Sequence, residues 1–194
     1  AKNSHSAKEW IAAEAEISKK TQPFISKEER LAMLKERYGS GQARWNSKLR
    51  IVATSIEDIE RQVFDENSNV DILVALQASG ALQGVWPSVE INGKHFFDGG
   101  SFSMENPDVF VDADKMLVLS TGLPVDVPYK LEDLLAQLEK KGTETSLVLP
   151  SEKTMNILKD FNYNMVEAKI RPFVAQAGRE QGQAEAALIK ERWL

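Results

Sequence analysis

The 194-residue chain has no cysteine and only two histidines, His5 and His95. Without a thiol there is no disulfide, no cysteine nucleophile and no thiolate metal site, and two imidazoles are a thin basis for a metal centre. Long apolar runs are also missing. The longest, around residues 72–76 and 116–119, fall far short of the ~18 consecutive residues that span a bilayer. Positive charge is in deficit: 24 Lys and Arg against 29 Asp and Glu give a net charge of −5. No segment gathers the cations that would neutralise a phosphate backbone, so nucleic acid is not an expected partner. Residues 1–6 have neither a basic n-region nor an apolar h-region, which argues against a signal peptide and for a cytoplasmic chain. Internal repeats and low-complexity segments are lacking too. What remains is the composition of an ordinary globular protein, long enough to bury one good core.

Read along its length, the chain opens with helical periodicity. Trp10, Ile11 and Ile17 fall near one another at helical spacing, and Pro23 closes the stretch. Ser26 followed three residues later by Glu29 is a capping box that starts a second helix, with Leu31, Leu34 and Tyr38 as its expected buried stripe and Gly39 and Gly41 at its end. Residues 1–47 thus form a helical segment of packing helices. In them Trp10 and Trp45 are expected to be buried rather than to face lipid.

The period then changes. Residues 49–54 (L-R-I-V-A-T) and 61–64 read as strands, 65–69 (D-E-N-S-N) as a turn and 70–79 as a short helix. Residues 89–92 and 94–98 read as two strands around Asn92-Gly93, the strongest hairpin signal in the sequence. The apolar runs at 115–120 and 145–149 suggest buried strands, and between them Leu131, Leu134, Leu135 and Leu138 mark an amphipathic helix. Strand, helix, strand in that order implies a parallel βαβ unit. A long helix from about 172 to 193 closes the chain, and its Gly178 and Gly182, one turn apart, suggest close approach of another backbone.

The chemistry concentrates at Asp98-Gly99-Gly100, at the end of a predicted strand, where two glycines would serve a turn of positive φ. The segment from Ala78-Ser79-Gly80 through Gly84-Val85-Trp86-Pro87-Ser88-Val89 to Asp98-Gly99-Gly100 resembles the signature around the catalytic aspartate of patatin-like phospholipases, A-S-x-A-x-P-G-x-x-P-P-V leading to D-G-G or D-G-A. Ser103, Asn106 and Asp108 resemble the family's S-x-x-N-x-D, residues 116–119 its V-L-V-L strand, and 177–186 (A-G-R-E-Q-G-Q-A-E-A) the closing helix of a bacterial subgroup. The match runs from about Leu49 onward. Gln83 and Ser88 stand where the family usually has proline.

The resemblance implies an α/β fold with a mainly parallel, three-layer sheet flanked by helices, residues 48–194 forming the C-terminal half of a patatin-like domain. It implies a serine acyl hydrolase acting on phospholipids or other fatty esters through a Ser-Asp dyad. Asp98 would be the base, and Gly99, Gly100, Ser79, Pro87 and Asn106 would support it. An aspartate, a weak base at its usual pKa of ~3.9, must then sit within hydrogen-bond reach of the serine in a site that excludes water. The family's nucleophile motif G-x-S-x-G and its glycine-rich oxyanion segment do not occur in this sequence; Gly39-Ser40-Gly41 and Gly99-x-Ser101-x-Ser103 do not fit. The chain alone is therefore expected to be inactive, its partners being an acyl-ester or lipid substrate, a membrane surface met peripherally, and the missing half or a second copy. No metal and no organic cofactor is implied. The competing reading is a non-catalytic binding or regulatory module. His95, three residues before Asp98, falls on the opposite strand face and is expected to take no part.

Overall fold

A computed structural model describes residues 6–22, 24–39, 43–123, 125–164 and 167–193. The expectations for His5, Pro23, Ser40 and Gly41 lie outside those residues. The chain divides into two compact units, one of Ala1–Asp112 with Val125–Lys141, the other of Ala113–Pro124 with Gly142–Leu194.

Local signals set the helices of the first unit. Helix α1 (Ala7–Lys20) starts where the Ser6 hydroxyl accepts the Glu9 N–H, and α2 (Lys27–Tyr38) has both halves of the Ser26–Glu29 capping box. Helix α3 (Ile72–Ser79) starts two residues later than its apolar run, because the Asp71 carboxylate accepts from the Leu73 and Val74 N–H groups and fixes the first turn there. Helix α4 (Leu131–Lys140) buries Leu134, Leu135 and Leu138, three of the four expected leucines.

Four strands, β1 (Ile51–Ser55), β2 (Arg61–Phe64), β3 (Val89–Ile91) and β4 (Lys94–Asp98), form one sheet in the order β2-β1-β4-β3. Every pairing in it is antiparallel, which corrects the expected mainly parallel sheet. Short connections decide two of the three pairings, β1 with β2 and β3 with β4. The β1–β2 link is five residues, 56–60, and the β3–β4 link is Asn92-Gly93, both at positive φ. A parallel neighbour needs a crossover of about a dozen residues or more, so such short links force antiparallel pairing.

The expected helical flanking does hold. Phe96 and Phe97 are adjacent on β4 and so point to opposite faces, yet they are 4% and 0% exposed. Phe96 packs with Ile51, Phe64, Val89, Ile91 and the alanines of α3, whereas Phe97 packs with Ile11 and Ala15 of α1 and with Ile56. The sheet is therefore covered on both sides. Trp10 and Trp45 pack against these two cores, and the Trp45 indole N–H donates to the Val70 carbonyl at 2.7 Å.

Helix α2 departs from expectation. Leu31 and Leu34 are only half-buried, Tyr38 is exposed, and the buried residue is Arg30, at 8% exposure. The helix packs on α3 rather than on the sheet, and a Gln77 side-chain N–H donates to the Lys27 carbonyl at 3.2 Å.

In the second unit β5 (Lys115–Leu119) pairs in parallel with β6 (Glu144–Val148), the one parallel pair among the described residues, and helices α5 (Glu152–Asp160) and α6 (Arg171–Trp193) pack together. Neither strand is buried as its apolar run suggests; Leu119 is 71% exposed. Gly178 and Gly182 do not serve close backbone approach either: a Cβ on each would meet nothing within 4 Å. Gln181 ties α6 to the segment after β6, donating to the Leu149 carbonyl at 2.7 Å and accepting the Ser151 N–H at 2.8 Å, and Glu180 pairs with Lys153 of α5 at 2.6 Å.

Candidate active site around Asp98

Asp98 ends β4 in register with Ala53 of the central strand β1. Its main chain is held on both sides: the N–H donates to the Ala81 carbonyl at 3.2 Å, and the carbonyl accepts the hydroxyl of Thr54, itself fully buried, at 3.0 Å. The side chain folds back over the next residues, Oδ1 accepting the Gly100 N–H at 2.8 Å. An Asx turn of this kind fixes the carboxylate to its own backbone. Burial holds the Asp98 carboxyl above its ordinary pKa, against the opposing pull of the Gly100 N–H and the Arg30 charge.

The glycines after Asp98 are needed for a reason other than the expected one. Gly99–Ser101 forms a 3₁₀ turn, and neither glycine lies in the left-handed region. A Cβ on Gly99 would instead stand 2.5 Å from the Val52 carbonyl oxygen and 2.8 Å from its carbon, and one on Gly100 would meet Asp98 Oδ1 at 3.0 Å. Close approach of β1 excludes a side chain at Gly99.

Asn106 locks the turn from below. It is buried, adopts φ 50°, and its Nδ2 donates to the Gly99 carbonyl at 3.1 Å and to the Ser103 carbonyl. Arg61, on β2 across the sheet, donates from Nη1 to Asn106 Oδ1 at 3.1 Å and bidentately to Asp108 at 2.7 and 2.8 Å, with its guanidinium 4.6 Å from the Phe102 ring centre. A planar fork of this kind positions both partners. Arg61 was not visible as a site residue in the sequence, because a strand-end arginine carries no periodic signal.

Four of the expected residues meet Asp98 at one open cavity of about 390 Å³: Ser79, Gly99, Gly100 and Asn106 line it together with Val52, Leu76 and Met104. Pro87 lies outside that lining, in the link between Trp86 and β3. No serine or histidine side chain among the described residues hydrogen-bonds the Asp98 carboxylate. The Ser101 hydroxyl pairs with the Gln83 amide instead. His95 is on the other face of β4 and half-exposed, its Nδ1 2.9 Å from Glu57 Oε1. Nowhere among the described residues do three or more His, Asp or Glu come together as a metal site.

Arg30 is the second residue that sequence reasoning missed. Its Nη2 donates to the Gly80 carbonyl at 2.8 Å, its guanidinium lies 4.7 Å from the centre of the Trp86 ring, and burial pushes its pKa down to about 10. Chemically the arrangement offers a fixed, partly desolvated carboxylate facing a cavity, able to take a proton from a hydroxyl brought to it. Comparison with family models and with curated proteins found no match for this chain.

Proposed function

We propose that this chain carries the Asp half of a Ser-Asp dyad and contributes it to a patatin-like acyl hydrolase acting on lipid or other fatty esters. The observation that supports this best is the Asp98 carboxylate itself: held by an Asx turn at a strand end, desolvated, and open to a cavity shared with Ser79, Gly99, Gly100 and Asn106. Desolvation raises its affinity for a proton toward what a base working near neutrality needs.

In the proposed reaction a serine hydroxyl from a G-x-S-x-G segment meets Asp98 in this cavity. The carboxylate takes the hydroxyl proton as the oxygen bonds to the ester carbonyl carbon. Asp98 returns that proton to the alcohol as its bond to the carbon breaks, leaving an acyl-enzyme. Water then attacks the acyl carbon, giving one proton to Asp98 and through it back to serine, and the fatty acid leaves. His95 is no part of this.

The test is kcat for Asp98→Asn and His95→Ala in the polypeptide that joins this sequence to the nucleophile segment, with circular dichroism showing that each variant is folded. Asp98→Asn should lose about 10² to 10⁴ in kcat, the usual worth of a general base, while His95→Ala should stay within about tenfold of the parent. A folded Asp98→Asn enzyme of undiminished rate refutes the dyad. A reading frame that starts beside Ala1 and reaches no such segment favours the binding module instead.

A further inference from the structure

Arg30 is a charged group where a helix surface would normally place a solvated one. It is 8% exposed, and Nη1 is buried with no hydrogen-bond partner among the described residues. Taking a guanidinium out of water is costly unless its charge and its N–H groups are matched. The Gly80 carbonyl satisfies Nη2, and the guanidinium carbon lies over the Trp86 ring, which in turn meets Phe24 in a tilted contact. A buried polar atom left over after those contacts calls for a functional explanation.

The geometry around Arg30 leads to Asp98. Gly80, which Arg30 grips, is followed by Ala81, whose carbonyl receives the Asp98 N–H. One side chain of α2 thus clamps the loop on which the end of β4 hangs. The charge of the guanidinium also reaches the Asp98 carboxylate, and each group favours the ionised form of the other. We propose that Arg30 is a positioning residue for Asp98: it clamps the Gly80-Ala81 loop against the end of β4 and places there a buried positive charge that offsets part of the cost of burying the carboxylate.

Other charged groups near the carboxylate do not take this role. Arg50 lines the same cavity, but its guanidinium donates to the Val109 carbonyl and lies 4.4 Å from the Phe110 ring centre. Glu105, also in the lining, has the wrong sign. On β4 itself, Lys94 pairs with Asp58 and His95 with Glu57. Helix α3, packed on β4, presents Ser79 and Leu76 to the cavity and no charge. Opposite-charge stabilisation of Asp98 therefore comes from α2, a helix outside the D-G-G signature.

The inference rests on Asp98 being the base, but its first test needs no hydrolysis. In this chain, labelled with ¹³C at the aspartate carboxyls, the Asp98 signal is assigned by its loss in Asp98→Asn and titrated by NMR. The Gly100 amide, which donates to that carboxylate, is followed as a second reporter. In Arg30→Met the Asp98 midpoint should move to higher pH, and in Arg30→Lys, which keeps the charge but not the fork, it should move less. Arg30→Gln keeps a donor for the Gly80 carbonyl and no charge, so it carries the test if Arg30→Met does not fold; its midpoint should also rise. An unmoved Asp98 midpoint in a folded, neutral variant overturns the proposal. So does Arg30→Lys shifting as far as Arg30→Met, because packing rather than charge would then be responsible. In the hydrolase, the acid limb of the kcat profile should move to higher pH with the same ordering. Absence of activity in the parent and in every variant with the titration result intact would count against the hydrolase reading and leave the Arg30–Asp98 link standing.

Discussion

Replacing Gly99 by alanine adds one methyl group, and the structure gives that group nowhere to go. At 2.5 Å from the Val52 carbonyl oxygen and 2.8 Å from its carbon, it clashes with backbone rather than with a side chain that could rotate away. Relief requires the 3₁₀ turn to lift off β1, and the turn begins one residue after the Ala53–Asp98 pair of the ladder. Overpacking costs about 1–3 kcal/mol in well-packed sites; with both clashing atoms in a central strand, the upper end applies, about 3 kcal/mol. That corresponds to a fall in the folded-to-unfolded ratio of about 10². Two comparators calibrate the reasoning. Gly100→Ala meets only the Asp98 carboxylate oxygen at 3.0 Å and should cost about 1 kcal/mol. Gly93→Ala has open space around it but sits at φ +79°, so it pays only backbone strain, again about 1 kcal/mol. The assay is urea unfolding followed by tryptophan fluorescence in a Trp193→Phe background, which leaves Trp10, Trp45 and Trp86, all in the first unit, as reporters. Equal denaturant slopes are the condition for comparing free energies. A Gly99→Ala protein within about 0.5 kcal/mol of the parent, or no less stable than Gly93→Ala, refutes the close-approach account.

Stability should also register Asp98 by its pH dependence. Its folded pKa lies above the ordinary aspartate value, so the native state holds a proton that the unfolded chain has released, and stability falls as pH rises from the unfolded value through the folded one. Asp98→Asn should flatten that fall and be more stable than the parent at neutral pH; urea midpoints across the acid range measure it, and an unchanged slope would speak against desolvation of this carboxylate. Arg61→Gln breaks the bidentate contact with Asp108 and should cost about 1–2 kcal/mol, given its partial exposure, and should speed hydrogen exchange at Gly100 if the Asn106 link steadies the turn. Gly178→Ala lies inside α6 with nothing within 4 Å of the new Cβ and should stabilise that helix by about 0.5–1 kcal/mol, read by amide exchange. The chain by itself should neither hydrolyse a p-nitrophenyl ester nor label with a fluorophosphonate; stoichiometric labelling of Ser101 or of any other serine would show that the nucleophile is here after all.

Most of what could be read in the sequence was local. The Ser26–Glu29 capping box, the Asn92-Gly93 hairpin, the leucine stripe of α4 and the strand that ends at Asp98 all depend on residues a few positions apart, and all appear where the pattern puts them. Side-chain alternation also placed His95 away from Asp98. Tertiary structure decided the rest. An apolar run says that a strand is covered but not which way its neighbour runs; short links set the β1–β2 and β3–β4 pairs antiparallel, and the docking of the two hairpins set β1 antiparallel to β4. The same ambiguity hid the exposure of β5 and β6. The need for glycine at position 99 came from Val52, 47 positions earlier, and not from its own φ. The contacts that set the candidate site, Arg30 with Gly80 and Arg61 with Asn106, span 50 and 45 positions. An arginine on a helix or at a strand end looks solvated until the chain folds back over it, so its burial and its partners exist only in three dimensions.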